Sequence, residues 1–87
     1  MKPTARKEDL RVKRDTGELL IEDLANENRI HLNPTSAYVW EKCDGKKDAN
    51  EIALEMQREL GMTVSEKVVS LALRKLSRNR LLEPGFA

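Results

Sequence analysis

At 87 residues the chain can hold one small domain but not a second core. Only 39% of its residues are hydrophobic, with one Phe, one Tyr and one Trp, so the interior must be aliphatic. A fold of this size is worth only about 4–13 kcal/mol, which disfavours a large enclosed active site. Charged residues reach 36% and mean hydropathy is −0.63, yet the apolar residues cluster at regular spacing, which disfavours wholesale disorder.

The net charge of +1 hides a partition. Residues 1–14 carry six basic and two acidic groups, residues 15–60 five and eleven, and residues 61–80 five and one. A duplex-binding domain usually shows a larger overall excess of positive charge, although a local basic stripe can suffice. Cys43 and His31 are each the only residue of their kind. An intramolecular disulfide and a multi-cysteine zinc cage therefore lack ligands, and no metal or cofactor is expected. The start of the chain is charged, and no apolar run approaches the roughly 18 residues of a membrane span. The expectation is a cytoplasmic protein without membrane contact.

In chain order, residues 1–9 read as a flexible basic arm. Leu10 to Arg14 alternates like a strand with one buried face, Asp15-Thr16-Gly17 supplies turn residues, and Glu18 to Asp23 forms a second strand. After the polar Ala25-Asn26-Glu27-Asn28, Arg29 to Leu32 alternates again with Ile30 and Leu32 on one side. Asn33-Pro34 is a helix start, because Asn accepts from a free first-turn amide and Pro at the first helical position has no N–H to leave unpaired. The first helix runs from Pro34 to about Cys43, with Ala37 and Trp40 inward, and Asp44-Gly45 stops it. Asp48 and Glu51 have the spacing of a capping box. They open a second helix with Ile52, Ala53, Met56 and Leu60 at helical period, ended by Gly61. Thr63 and Glu66 have the same spacing and predict a third helix reaching about Arg80, before Leu81-Leu82 and a tail over residues 83–87.

The apolar arc of this third helix is wide, about 200° from Leu71 round to Leu73 at 100° per residue, where a surface helix needs only about 100°. Val69, Ala72, Leu73 and Leu76 read as core. Val64, Val68 and Leu71, bordered by Lys75, can floor a groove against the last strand; alternatively the strands cover the whole arc. Three strands in sequence order leave Arg29-Ile30-His31-Leu32 at a sheet edge, whose unpaired backbone groups invite an added strand. An edge beside an apolar groove is a docking site for an extended peptide, and a bare edge can also pair two copies of the chain.

Leu32-Asn33-Pro34-Thr35-Ser36-Ala37, Trp40, Cys43-Asp44-Gly45-Lys46, Glu51-Ile52-Ala53, Leu76 and Leu81-Leu82 together resemble the PqqD family in order and spacing. The resemblance runs from about Leu10 to Glu83. It implies an α+β, winged-helix-like module in which a three-stranded antiparallel meander precedes a three-helix bundle. Such modules are recognition elements for ribosomally made, modified peptides. They bind the leader of a precursor and present it to a modifying enzyme such as a radical SAM protein, as in pyrroloquinoline quinone biosynthesis. The family's leader adds beside the third strand and touches the third helix, which falls here on Arg29, Ile30, His31 and Leu32 and on Val64, Val68, Leu71 and Lys75. The family often has Gly before the final Leu pair, where this chain has Arg80.

The sharpest rival is a winged-helix DNA-binding regulator, since residues 49–82 also read as helix, turn, helix and a closing Leu-Leu. Against it, the early positions of the third helix, where bases would be read, carry three valines and one acid. An enzyme is disfavoured because no Ser-His-Asp set, phosphate loop or ligand cluster is present. His31 reads as a surface residue or a peptide contact, and Cys43 as a small buried hydrophobe.

Overall fold

The computed structural model describes residues 2–84. Three strands, β1 (Leu10–Asp15), β2 (Glu18–Asp23) and β3 (Asn28–Leu32), precede three helices, α1 (Pro34–Lys42), α2 (Ala49–Leu60) and α3 (Glu66–Arg78). The sheet is an antiparallel meander in the order β1-β2-β3. Asp15 pairs with Glu18 across a two-residue turn in which Thr16 and Gly17 both have positive φ, 46° and 84°. That is the sense of turn whose twist matches the flanking strands.

The caps explain why the helices begin where they do. The Asn33 side chain accepts from the Ser36 amide at 2.9 Å with Pro34 in the first turn. At α2 the capping box is complete: the Glu51 amide donates to Asp48, and the Asp48 amide donates to the Glu51 side chain. At α3 the expected box does not form. Ser65, two residues beyond Thr63, is the N-cap and accepts from the Val68 amide. Val64 then precedes the cap and Val69 lies at the fourth helical position, the spacing of a hydrophobic staple, and both are buried. Val64 therefore belongs to the core and cannot floor a groove.

The end of α3 accounts for Arg80. The Arg80 amide donates to the Ser77 carbonyl and the Leu81 amide to the Leu76 carbonyl, the paired bonds of a Schellman stop, with Leu76 and Leu81 both fully buried. Such a stop needs a left-handed residue, and Arg80 supplies it at φ 60°. A side chain there costs about 1–2 kcal/mol relative to right-handed backbone, which is why glycine favours the position.

The core lies between one face of the sheet and the helices. Leu19 and Ile21 of β2 and Ile30 and Leu32 of β3 point inward with Val39, Trp40, Ile52, Met56, Leu73 and Leu76. Helix α1 packs against β2 and β3 but not β1. That leaves Val12 exposed, so β1 lacks the well-buried face its alternation predicts. Leu60, expected in the α2 core stripe, is half exposed because it ends the helix. Cys43 is buried and its thiol is pushed up to about 12, chiefly by loss of solvation and secondarily by the Asp44 charge. It stays a protonated, unreactive core residue at neutral pH.

Residues 2–9 are not the free arm their composition predicts. Thr4 bridges to Asp44 and Ala5 to Leu82. The Ala5 amide donates to the Cys43 carbonyl at 2.8 Å and the Arg6 amide to the Leu81 carbonyl at 2.9 Å, and Pro3 and Ala5 are buried. The Arg6 guanidinium makes a two-toothed pair with Asp23 at 2.9 and 3.0 Å. Asp23 is 2% exposed and also accepts from the Asn26 backbone and side-chain amides. Lys7 sits 4.1 Å from the centre of the Trp40 ring, whose indole N–H donates to the Leu81 carbonyl. The arm thus ties α1, the β2–β3 turn and the chain after α3 together. Of the expected tail, Glu83 bonds back to Thr4; Gly85 to Ala87 lie outside the described residues.

Candidate functional site

Both outer strands of the meander are sheet edges, and their surroundings differ. β1 carries Arg11, Lys13 and Arg14, and among the described residues its one ion pair with a helix is the exposed one of Arg14 with Glu41 of α1; this is the charged form of edge that discourages strand addition. β3 and α3 both pack on α1 but do not pack on each other, so a cleft separates them. At one end the cleft is lined by Asp23, Asn26, Glu27 and Asn28 from the turn into β3 and by Arg78, Asn79 and Arg80 at and just beyond the end of α3. The start of the strand thus lies opposite the end of the helix.

Along α3 the exposed residues Arg78, Lys75, Leu71 and Val68 are separated by three, four and three residues, so they form one stripe. Val68 is 44% exposed and Leu71 53% exposed, whereas Val69, Ala72, Leu73 and Leu76 are buried. The wide apolar arc is divided, though not evenly: Val64, Val69, Ala72, Leu73 and Leu76 are core, and Val68 and Leu71 are free. Of the residues singled out in the sequence, Val68, Leu71 and Lys75 share this stripe, and Val64 leaves it for the core. On β3, Ile30 and Leu32 direct their side chains into the core, so they can offer a partner only backbone groups. Arg29 and His31 point to the outer sheet face. There Glu22 lies between Arg11 at 3.9 Å and Arg29 at 3.8 Å, and His31 meets Glu18.

Five further residues, Asn26, Glu27, Asn28, Arg78 and Asn79, line the cleft without having been picked as site residues. Arg78 was legible: it stands seven residues after Leu71, two helical turns along the same face. Asn28 and Asn79 lie at element ends and carry no periodic signal. Asp23 and Arg80 at the cleft mouth are already engaged, Asp23 by Arg6 and Asn26, and Arg80 by donating to the Asn26 side chain at 2.8 Å. The Asp23 carboxyl is held well below the usual carboxylate range, first by its hydrogen bond from Arg6 and then by that from Asn26. Among the described residues no group of three His, Cys, Asp or Glu side chains is placed to hold a metal ion, and no helix is long and apolar enough to cross a membrane.

A three-stranded meander whose β3 edge faces a half-exposed helix across a cleft, on a support of three helices, defines an α+β winged-helix-like module. The family model described as Coenzyme PQQ synthesis protein D (PqqD) matches residues 14–82, and the chain belongs to the PqqD family. The fold is also that of a solved structure of TbiB1 in complex with the TbiA(beta) leader peptide. The two share 20% sequence identity at a TM-score of 0.73, with 97% of this chain and 98% of that chain covered. No match to a curated protein sequence was found.

Proposed function

We propose that this protein binds the leader segment of a ribosomally made precursor peptide in the β3–α3 cleft and presents it to a modifying enzyme. The observation that carries this reading is the pairing of an open strand edge, Arg29 to Leu32, with the exposed stripe of Val68, Leu71 and Lys75. Backbone bonding along an edge gives affinity with little sequence demand, and the stripe supplies selectivity. Membership of the PqqD family and the leader peptide bound by the structural neighbour TbiB1 support it. On this reading the chain performs no chemistry itself, and the reaction belongs to a partner such as a radical SAM enzyme. It acts in the cytoplasm, where ribosomal products emerge. A free β3 edge also offers a route to a homodimer that the leader would displace.

A DNA-reading role fits the cleft poorly. Two of the valines at the beginning of the third helix are buried, and the first turn offers one cation, Lys67, beside the acid Glu66, a poor set for reading base edges. Titration calorimetry of the full chain with the leader of a precursor encoded beside it should give a saturable one-to-one complex. No heat with the leader, together with a footprint on a defined duplex at physiological salt, would overturn the proposal.

A further inference from the structure

We propose that the cleft is polarised by charge along its length and selects an extended peptide with two apolar side chains and, further along the same face, a carboxylate held at Lys75 and Arg78. This rests on the peptide-binding reading above and adds to it a recognition rule.

The stripe on α3 changes character halfway. Val68 and Leu71 are apolar and exposed, whereas the next two residues on the same face, Lys75 and Arg78, are cationic and exposed. After Glu66 the helix contains no acid, and Arg74 and Arg80 add further positive charge near its end. Among the described residues no carboxylate lies within salt-bridge distance of Arg74, Lys75 or Arg78, although every acid near the other arginines that pair is engaged: Asp23 by Arg6, Glu41 by Arg14, and Glu22 by Arg11 and Arg29. The cleft end opposite Arg78 is formed by neutral Asn26 and Asn28, and Glu27 is the one acid there not committed to an ion pair. Two free cations against one acid leave that end short of negative charge.

The lengths agree. From Val68 to Arg78 the helix rises about 15 Å at 1.5 Å per residue. Same-face side chains of a strand recur about every 6.8 Å, so positions i, i+2 and i+4 span about 14 Å. A strand laid along β3 therefore places two alternate side chains over Val68 and Leu71 and the third over Lys75 and Arg78. Whether the acid follows or precedes the apolar pair then reports the direction of the added strand.

The test is display selection of a random decapeptide library on the full chain, in parallel with the double variant Lys75→Glu/Arg78→Glu. Both side chains are exposed, so the variant is expected to fold, and its amide spectrum checks that. The wild type should enrich two apolar residues two positions apart with Asp or Glu two positions beyond the pair on one side. The variant should keep the apolar pair and exchange the acid for Lys or Arg. Replacing the acid of a selected peptide by its amide should weaken wild-type binding about fivefold, the scale of a good exposed ion pair. An apolar pair enriched with no charge preference, or an acid preference that survives in the folded variant, would overturn this inference and leave peptide binding in the cleft intact. Selected peptides that leave the Asn28 to Leu32 amides unshifted, or no enrichment at all, would overturn both.

Discussion

Val68→Asp is expected to weaken leader binding by more than tenfold, about 1.4 kcal/mol, while leaving the free chain folded. Val68 is 44% exposed, so in the free protein the new carboxylate stands in water. It would also occupy the third position of α3, counted from the Ser65 cap, where a negative charge suits the helix N-terminus. Beneath a bound peptide the same carboxylate is stripped of water with no partner, and the cost falls entirely on the complex. Leu71→Ala only removes contact area and should lose less. Calorimetry on both variants checks the order, and a folded Val68→Asp protein that binds normally would take the stripe out of the site.

The largest effect on stability is expected from Arg6→Ala. Removing the guanidinium leaves a carboxylate that is 2% exposed facing only Asn26. Losing one partner of such a pair is far more damaging than losing both. The melting temperature should fall by about 10 °C or more, and the anchoring of residues 2–9 should loosen with it. Acid titration gives an independent readout. The Asp23 carboxyl titrates below its unfolded value because Arg6, and then Asn26, hold its charged form. Its contribution is therefore complete above about pH 4 and disappears as pH falls from there toward the lower folded value. Thermal melts from pH 5 to pH 2 should show this loss in the wild type and a shallower one in Arg6→Ala. Equal slopes would mean that Arg6 does not hold the Asp23 charge.

Local signals made most of the fold legible. Asn33-Pro34 and the Asp48/Glu51 pair mark helix starts by chemistry confined to four residues, and the structure places α1 and α2 there. Alternation located all three strands but could not say which would be covered, because the burial of β1 depends on where α1 lies. Thr63 and Ser65 both qualify as caps by residue type. The choice was settled by the Val64/Val69 staple, a signal present in the sequence that also removes Val64 from the site. The docked arm was not legible: Thr4 and Ala5 find single-residue partners at Asp44 and Leu82, and isolated bridges over such separations leave no periodic trace. Nor could Arg80 be read as the left-handed stop, since sequence argues for glycine there and the fold carries the strain instead. The division of the α3 arc into core and stripe required knowing that β3 and α3 stand apart over α1.

Strand addition at β3 is tested most directly by amide hydrogen exchange, residue by residue, with and without a saturating leader peptide. The account predicts that outward-facing amides within Asn28 to Leu32 gain protection, because a new backbone partner must open before they exchange. The equivalent edge amides of β1 should stay unchanged. Protection gained along β1, or confined to α2 and the basic end of α3 with β3 exchanging as before, would contradict it.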